Sequence, residues 1–90
     1  MHALPFEPIE LVALDPDRNV RRRWRIVATR DLFGHVVVET GWGRIGGRGR
    51  VLVRSFAGDA PALAYVRTLL ARRATASKRI GVGYAPFPPC

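Results

Sequence analysis

The sequence predicts an α+β fold, a twisted antiparallel sheet of four to five strands with one helix packed on it. Four segments between residues 9 and 56 are apolar or alternate between apolar and polar side chains, and short turns join them, as in an antiparallel meander. One amphipathic stretch with helical spacing follows. The 90 residues, 48% of them hydrophobic, are enough for a single small domain. We expect a loose N-terminus over residues 1–8, the domain over residues 9–84 and a disordered, proline-rich tail over residues 85–90.

The first two strands are predicted from an apolar run and an alternating run. Residues 9–14 (IELVAL) are apolar and end at the turn signal Asp-Pro-Asp. Residues 21–29 alternate, which places Trp24, Ile26 and Ala28 on one face and Arg23, Arg25 and Val27 on the other. The second strand is therefore expected to have a basic outer face.

The third and fourth strands flank a glycine-rich turn. Residues 35–43 place Val36, Val38, Thr40 and Trp42 on one face. Residues 50–56 alternate as well, with Arg50, Leu52, Arg54 and Phe56 against Val51, Val53 and Ser55.

The helix is predicted over residues 61–74. Asp59 is expected to accept a hydrogen bond from the first unpaired backbone amides, and Pro61 fits the first turn because it has no N–H. Apolar residues then recur at helical spacing and form one stripe for packing on the sheet: Ala62, Leu63, Tyr65, Val66, Leu69 and Leu70. Arg67, Arg72 and Arg73 are expected outside this stripe, and a short last strand is expected at residues 82–84.

Residues 40–50, TGWGRIGGRGR, are the strongest candidate for a binding loop. Five glycines relieve the steric cost of unusual backbone angles and allow a partner to approach the main chain closely. Trp42, Arg44, Arg48 and Arg50 offer a π face and three guanidinium groups to a sugar, base or phosphate. A second interpretation is equally open, in which Trp42 is a core aromatic at the end of a strand and the arginines form a solvated rim.

Residues 41–46 also spell G-x-G-x-x-G, but the context excludes a nucleotide cofactor. That fingerprint requires a helix that begins inside the glycines, whereas the next segment is predicted as a strand. The residue types that most often carry catalysis are scarce in this sequence. Its His and Cys residues are His2, His35 and Cys90, and they do not have the spacing of a metal site or a catalytic triad. We therefore predict no enzyme activity, no cofactor and no metal.

The chain carries 15 Lys and Arg residues against 7 Asp and Glu, and its net charge of +8 is unevenly distributed. Residues 1–43 contain six basic and six acidic residues, whereas residues 44–90 contain nine basic residues and one acid, Asp59. This asymmetry indicates a polyanionic partner, nucleic acid before a membrane. The preference for Arg over Lys indicates a GC-rich bacterial genome. Without an apolar run of about 20 residues or a signal peptide, we predict a cytoplasmic protein.

The residues around Trp42 resemble the WGR domain, known from poly(ADP-ribose) polymerases and from small bacterial proteins. The resemblance covers about residues 9–84. It comprises, in chain order, Arg23-Trp24-Arg25-Ile26, then Trp42-Gly43-Arg44-Ile45-Gly46, Gly49-Arg50, an amphipathic helix, and a basic turn that leads to Gly83-Tyr84. It implies a twisted antiparallel sheet with one helix, in agreement with the elements above.

The resemblance further implies that the motif Trp packs on the sugar of a terminal nucleotide, that the motif Arg contacts the backbone beside it, and that basic neighbours hold phosphates. The candidate nucleic-acid-binding residues are Trp42, Gly43, Arg44, Arg48, Arg50, Lys78, Arg79 and Tyr84. ADP-ribosyl transfer is not implied, because it belongs to a catalytic domain that these residues do not match.

We therefore expect a monomeric, non-catalytic module that binds nucleic acid, DNA rather than RNA, without sequence specificity and with a preference for ends or breaks. The sequence leaves open whether it works beside a separately encoded nucleic-acid enzyme. The alternative is a protein-interaction or adaptor domain that uses the same basic loop against an acidic protein surface.

Overall fold

In the computed structural model, which describes residues 4–75 and 83–86, the chain forms an antiparallel sheet with a helix on one face. The elements in chain order are β1 (Ile9–Asp15), a 3-10 turn (Pro16–Arg18), β2 (Val20–Arg30), β3 (Val36–Arg44), β4 (Arg50–Phe56), α1 (Asp59–Ala74) and the two-residue β5 (Ala85–Pro86). The strands lie in the order β4-β3-β2-β1-β5. The predicted α+β fold is confirmed.

The core lies between the two central strands and α1. Ile26 and Ala28 of β2 and Val36 and Val38 of β3 are at most 1% exposed, as their alternation predicted. The predicted helical stripe supplies the opposite side of the core, with Ala62 and Val66 fully buried and Tyr65, Leu69 and Leu70 packed beside them. We call the side of the sheet covered by α1 the helix face and the other side the open face.

The pairing of the edge strand β4 with β3 shows which of its side chains lie on the helix face and which lie on the open face. Leu52 lies opposite the buried Thr40, and Phe56 lies opposite the buried Val36, so the set that contains Arg50 and Arg54 belongs to the helix face. The guanidinium of Arg54 lies 5.7 Å from the centre of the Tyr65 ring. Val51 and Val53 therefore belong to the open face, where they are 64% and 57% exposed.

The start of α1 differs from the sequence-based prediction. Asp59 is the first residue of the helix rather than its cap, and the extended Gly58 occupies the cap position. The Asp59 carboxylate instead accepts two hydrogen bonds from Arg30 at the end of β2, at 2.8 and 2.9 Å. A bidentate guanidinium is a stronger donor pair than a single backbone amide, so the carboxylate turns towards the sheet.

The two ends of the described chain also differ in detail from the prediction. The last strand was expected at residues 82–84, but the described pairing with β1 lies at Ala85–Pro86, opposite Val12 and Leu11. At the other end, Leu4 packs against the core and the Pro5 carbonyl accepts a hydrogen bond from Ala28 N. Both segments add contacts to the sheet.

Candidate nucleic-acid interface

Trp42 lies at the end of β3 where the sheet extends beyond the core. It is paired with Trp24 on β2 and with Arg50 on β4, so the three residues form one row on the helix face. Trp24 is 2% exposed, whereas Trp42 is 36% exposed. Trp42 is therefore neither a fully buried core residue nor a freely projecting side chain, and part of its surface is accessible to a partner.

Gly43, near the end of β3, and Gly49, in the β3–β4 turn, lie close against each other. A Cβ atom on Gly43 would lie 2.5 Å from the Cα of Gly49, and one on Gly49 would lie 2.6 Å from the Trp42 carbonyl oxygen. Gly49 also has a φ of +70°, which favours glycine over residues with a side chain. The prediction that Gly43 contacts a partner stays a prediction, and the structure shows that Gly49 fills the space beside Gly43. Its missing side chain allows the turn to close and so fixes the direction of Trp42 and Arg44.

Arg44 is held in place by the turn between β1 and β2. Its Nη2 donates a 2.8 Å hydrogen bond to Oδ1 of Asn19, and its Nη1 lies 3.4 Å from the Asn19 carbonyl oxygen. Asn19 has a left-handed backbone with φ of 55°, a conformation that Asn tolerates better than most residues. The Ile45 amide in turn donates to the Arg21 carbonyl at 2.8 Å. The guanidinium of Arg44 is thus oriented while it remains exposed.

A pocket of about 530 Å³ surrounds these groups at the end of the sheet. We call it the end pocket. None of the described residues that line it is acidic, and five of them are arginines from four different segments. The lining residues are Arg18, Asn19, Val20, Arg21, Arg22, Trp42, Gly43, Arg44, Arg73 and Tyr84.

The C-terminal end of α1 closes one side of the end pocket. The guanidinium carbon of Arg73 lies 5.4 Å from the centre of the Trp24 ring and 5.6 Å from that of Tyr84. Arg73 was predicted to lie outside the apolar stripe, but these two rings hold it against the sheet. Because the Arg73 guanidinium contacts both rings, it links Tyr84 to Trp24 on β2.

The end pocket brings together four of the eight predicted site residues: Trp42, Gly43, Arg44 and Tyr84. Arg48 and Arg50 line a second pocket of about 470 Å³, which Trp42 also lines. Lys78 and Arg79 lie outside the described residues. The prediction did not include Arg18, Arg21, Arg22 and Arg73. Arg22 had a usable signal, because it is two residues before Trp24 and therefore shares its strand face.

The ion pair between Arg30 and Asp59 lies at the opposite end of the sheet from the end pocket, beside the start of β3. The hydrogen bonds from Arg30 hold the pKa of Asp59 below its ordinary value, against an opposing effect of desolvation and with a smaller contribution from the charge of Arg30. The same hydrogen bonds and the charge of Asp59 raise the pKa of Arg30. This pair fixes the helix to the sheet and leaves the charge of the end pocket unaltered.

Residues 4–75 and 83–86 contain neither a candidate metal-binding cluster nor a candidate membrane-spanning helix. No group of three or more His, Cys, Asp or Glu side chains in these segments is arranged to hold a metal ion. In the same segments, no helix has the length and apolar character that crossing a membrane requires.

The fold and the site define a small two-layer α+β domain that presents a partly exposed tryptophan and a cluster of arginines at one end of its sheet. The sequence pattern of the WGR domain matches residues 8–79, and the chain belongs to this family. It is 35% identical over 75 residues to an uncharacterized protein of Sinorhizobium fredii, y4dW. That match covers 83% of this chain and 34% of y4dW, so the chain spans about a third of the relative's length. No solved structure matches the chain.

Proposed function

We propose that this chain is a non-catalytic module that binds nucleic acid, DNA in preference to RNA, without sequence specificity and preferentially at ends or breaks. The observation that carries the proposal is the end pocket, in which a partly exposed Trp42 lies among five arginines and the described lining contains no acid. The electrostatic footprint of a nucleic-acid-binding surface is such a local excess of positive charge on one face.

The arrangement suits a DNA backbone better than base edges. Arginines from the β1–β2 turn, β2, β3 and α1 converge on one pocket, which fits the spaced phosphates of a strand. Phosphate contacts then dominate affinity, and sequence preference is slight.

Trp42 accounts for the preference for ends. A tryptophan ring packs well on a sugar or base face, and in a continuous duplex each such face is covered by the next base pair. A terminal nucleotide leaves one face open. Arg44, oriented by Asn19, lies two residues after Trp42 on the same strand face, and in this proposal it contacts the terminal phosphate.

The remaining parts of the proposal concern partners. The chain acts as a monomer in the bacterial cytoplasm and delivers or positions a separately encoded nucleic-acid enzyme at the end that it binds. Arg48 and Arg50 extend the basic surface along the β3–β4 turn, and Lys78 and Arg79 add charge from the region after α1.

The test of this proposal is the salt dependence of binding to a duplex with free ends. If three to five arginines engage phosphates, log affinity falls with log salt at a slope of roughly −3 to −4, from about 0.9 per phosphate. Arg22→Gln, in the end pocket, should reduce the slope by about 0.9. Arg67→Gln, on the exposed side of α1 outside the pocket, removes the same charge and serves as the matched control.

Three results would contradict the proposal or a part of it. A flat salt response would show that phosphates are not the ligand. Equal affinity for an acidic peptide of matched charge would instead favour the adaptor function. A large preference for one duplex sequence over another would leave DNA binding intact and contradict its lack of specificity.

A further inference from the structure

β4 forms one edge of the sheet. Among residues 4–75 and 83–86 it pairs only with β3, whereas at the other edge β1 is joined by β5 at Leu11 and Val12. All seven residues of β4 except Phe56 are exposed. In an antiparallel pair, every second residue directs its N–H and C=O away from the neighbouring strand. About half of the backbone groups of β4 therefore face away from β3, where a further strand can add to the sheet.

The side chains of β4 show which kind of strand fits this edge. On the open face, Val51 and Val53 are mostly exposed, although valine is among the residues most often buried. On the helix face, Arg50 and Arg54 lie four residues apart, roughly 13 Å along the strand. Neither arginine takes part in an ion pair within the part of the chain that the structure describes. β4 thus offers apolar contacts on one face and two cations on the other.

The charges around β4 place the acids of a complementary strand on the helix face. Glu39 lies directly opposite Val53 on the open face, where it would repel an acid added on the far side of Val53. On the helix face, Arg50 and Arg54 would attract acids on a neighbouring strand. A complementary strand therefore carries acids opposite the two arginines and apolar residues opposite the two valines.

A second copy of β4 fits this edge less well. Two β4 strands would bring four arginines together, and the strand contains no acid to balance them. If the two strands paired about Leu52, Arg50 of each copy would lie directly opposite Arg54 of the other, and like charges in that position are destabilising. Charged side chains on edge strands are a common means of preventing self-association. The arginines thus disfavour self-pairing and favour an acidic partner.

We propose that the outer edge of β4 binds an extended, acidic segment of a partner protein, which adds to the five-stranded sheet as a further strand. The main chain supplies the ladder hydrogen bonds, and Arg50 and Arg54 select acids four residues apart. Val51 and Val53 pack against apolar residues of the segment. No residue of β4 lines the end pocket, so binding at this edge does not depend on the proposed DNA binding.

The experiment uses the synthetic peptide Thr-Glu-Val-Thr-Val-Glu-Thr, whose two glutamates are four residues apart and whose valines lie on the opposite face. Its pattern is the same in both directions, so it can add parallel or antiparallel to β4. When it binds to the full chain, amide hydrogen exchange should slow at alternate residues of β4, because the outward N–H groups become hydrogen-bonded. Two control peptides should bind more weakly. One has lysines in place of the glutamates, and the other has prolines at its three central positions, which cannot donate a ladder hydrogen bond.

Two charge-reversal variants separate the edge from the end pocket. Arg54→Glu should weaken binding of the acidic peptide by roughly fivefold or more and allow the lysine peptide to bind instead. It should retain most of the duplex affinity. Arg18→Glu changes the net charge equally but lies in the end pocket, so it should weaken duplex binding and leave peptide binding unchanged. The exchange measurement on the wild-type chain tests the edge even if Arg54→Glu does not fold.

Several results would overturn binding of an acidic strand at this edge. They are failure of the acidic peptide to bind more tightly than the controls, and binding that leaves exchange in β4 unchanged. Slower exchange of the same β4 amides with duplex DNA alone would assign the edge to DNA. Slower exchange with rising protein concentration, without peptide, would assign it to a second copy. Failure of the duplex to bind would instead contradict the proposed function and leave peptide binding at β4 intact.

Discussion

Trp24 and Trp42 lie directly opposite each other on β2 and β3, on the same face of the sheet, yet their surroundings differ. Trp24 is 2% exposed and packs in the core, with the guanidinium of Arg73 over its ring. Trp42 is 36% exposed at the end of the same row and lines the end pocket. The boundary between core and candidate binding surface therefore runs between two paired tryptophans.

This pair gives a matched test of the role of Trp42. Trp24→Ala should cost about 3–5 kcal/mol of unfolding free energy, because it empties a buried site. Trp42→Ala should cost clearly less stability but remove about 1–3 kcal/mol of DNA-binding free energy, the range for a stacking aromatic. Denaturant unfolding and duplex titration measure the two quantities. If both substitutions lower the unfolding free energy equally, Trp42 is a core residue.

Asn19 is predicted to position Arg44. Asn19→Gly keeps the left-handed backbone and removes the Oδ1 acceptor, so the unfolding free energy should change by no more than about 0.5 kcal/mol. Duplex affinity should fall by about 0.5–1.5 kcal/mol, the cost of ordering a long side chain on binding, because Arg44 is then no longer oriented beforehand. Arg44→Gln should weaken binding further because it removes the charge as well. Wild-type affinity in Asn19→Gly would show that Arg44 needs no such support.

Gly43 is predicted to be required by the turn rather than by the ligand. Gly43→Ala places a Cβ 2.5 Å from a backbone atom of Gly49, so the turn must shift, at a cost of about 1–3 kcal/mol in unfolding free energy. Gly41→Ala, two residues earlier on the same strand face, meets only an ordinary contact and should not destabilise. Thermal melting of both variants provides the comparison. Identical melting temperatures would mean that the turn adapts freely.

The ion pair at the start of α1 is predicted to make stability depend on pH. Hydrogen bonds from Arg30 lower the pKa of Asp59, so folding favours its ionised form. This stabilisation is fully present above the unfolded-state pKa, about 3.9, and is lost as pH falls through the lower folded-state pKa. Wild type should melt above Asp59→Asn at about pH 7, and the difference should shrink to near zero at about pH 2. In an Arg30→Gln background, the difference in melting temperature caused by Asp59→Asn should be small at neutral pH as well. A difference that does not change with pH would exclude the ion pair as its cause.

Most of the fold follows from local patterns in the sequence. Alternation around Trp24 and Val36 places the right side chains in the core, and the apolar stripe of α1 packs as its spacing predicts. The start of α1 was predicted less well. Asp59 is suited to capping by residue type, but Arg30, 29 residues earlier in the chain, is the partner that it takes. The hydrogen-bond partner of Asp59 depends on which residues lie close together in the folded chain, and the spacing of apolar residues in the sequence does not give this information.

The candidate site was predicted only in part for a similar reason. Trp42 and Arg44 stand out in the sequence because they lie within a short glycine-rich motif. Arg18, Arg22 and Arg73 join them through the strand register and the packing of α1, so their contribution depends on segments that are distant in the chain. Composition indicated only that the glycines make the loop flexible and accessible. The structure shows that Gly43 needs to lack a side chain because Gly49 lies directly against it.

The most direct test of the central claim compares two duplexes of the same sequence, one with free 5′-phosphorylated ends and one closed by hairpins at both ends. If Trp42 packs on the open face of a terminal nucleotide, the closed duplex should bind several-fold more weakly, because its terminal faces are covered. Trp42→Ala should bind both duplexes equally, with a similar dependence on salt. Equal affinity of the wild-type protein for open and closed duplexes would contradict end recognition, even if the arginines of the end pocket still bind DNA.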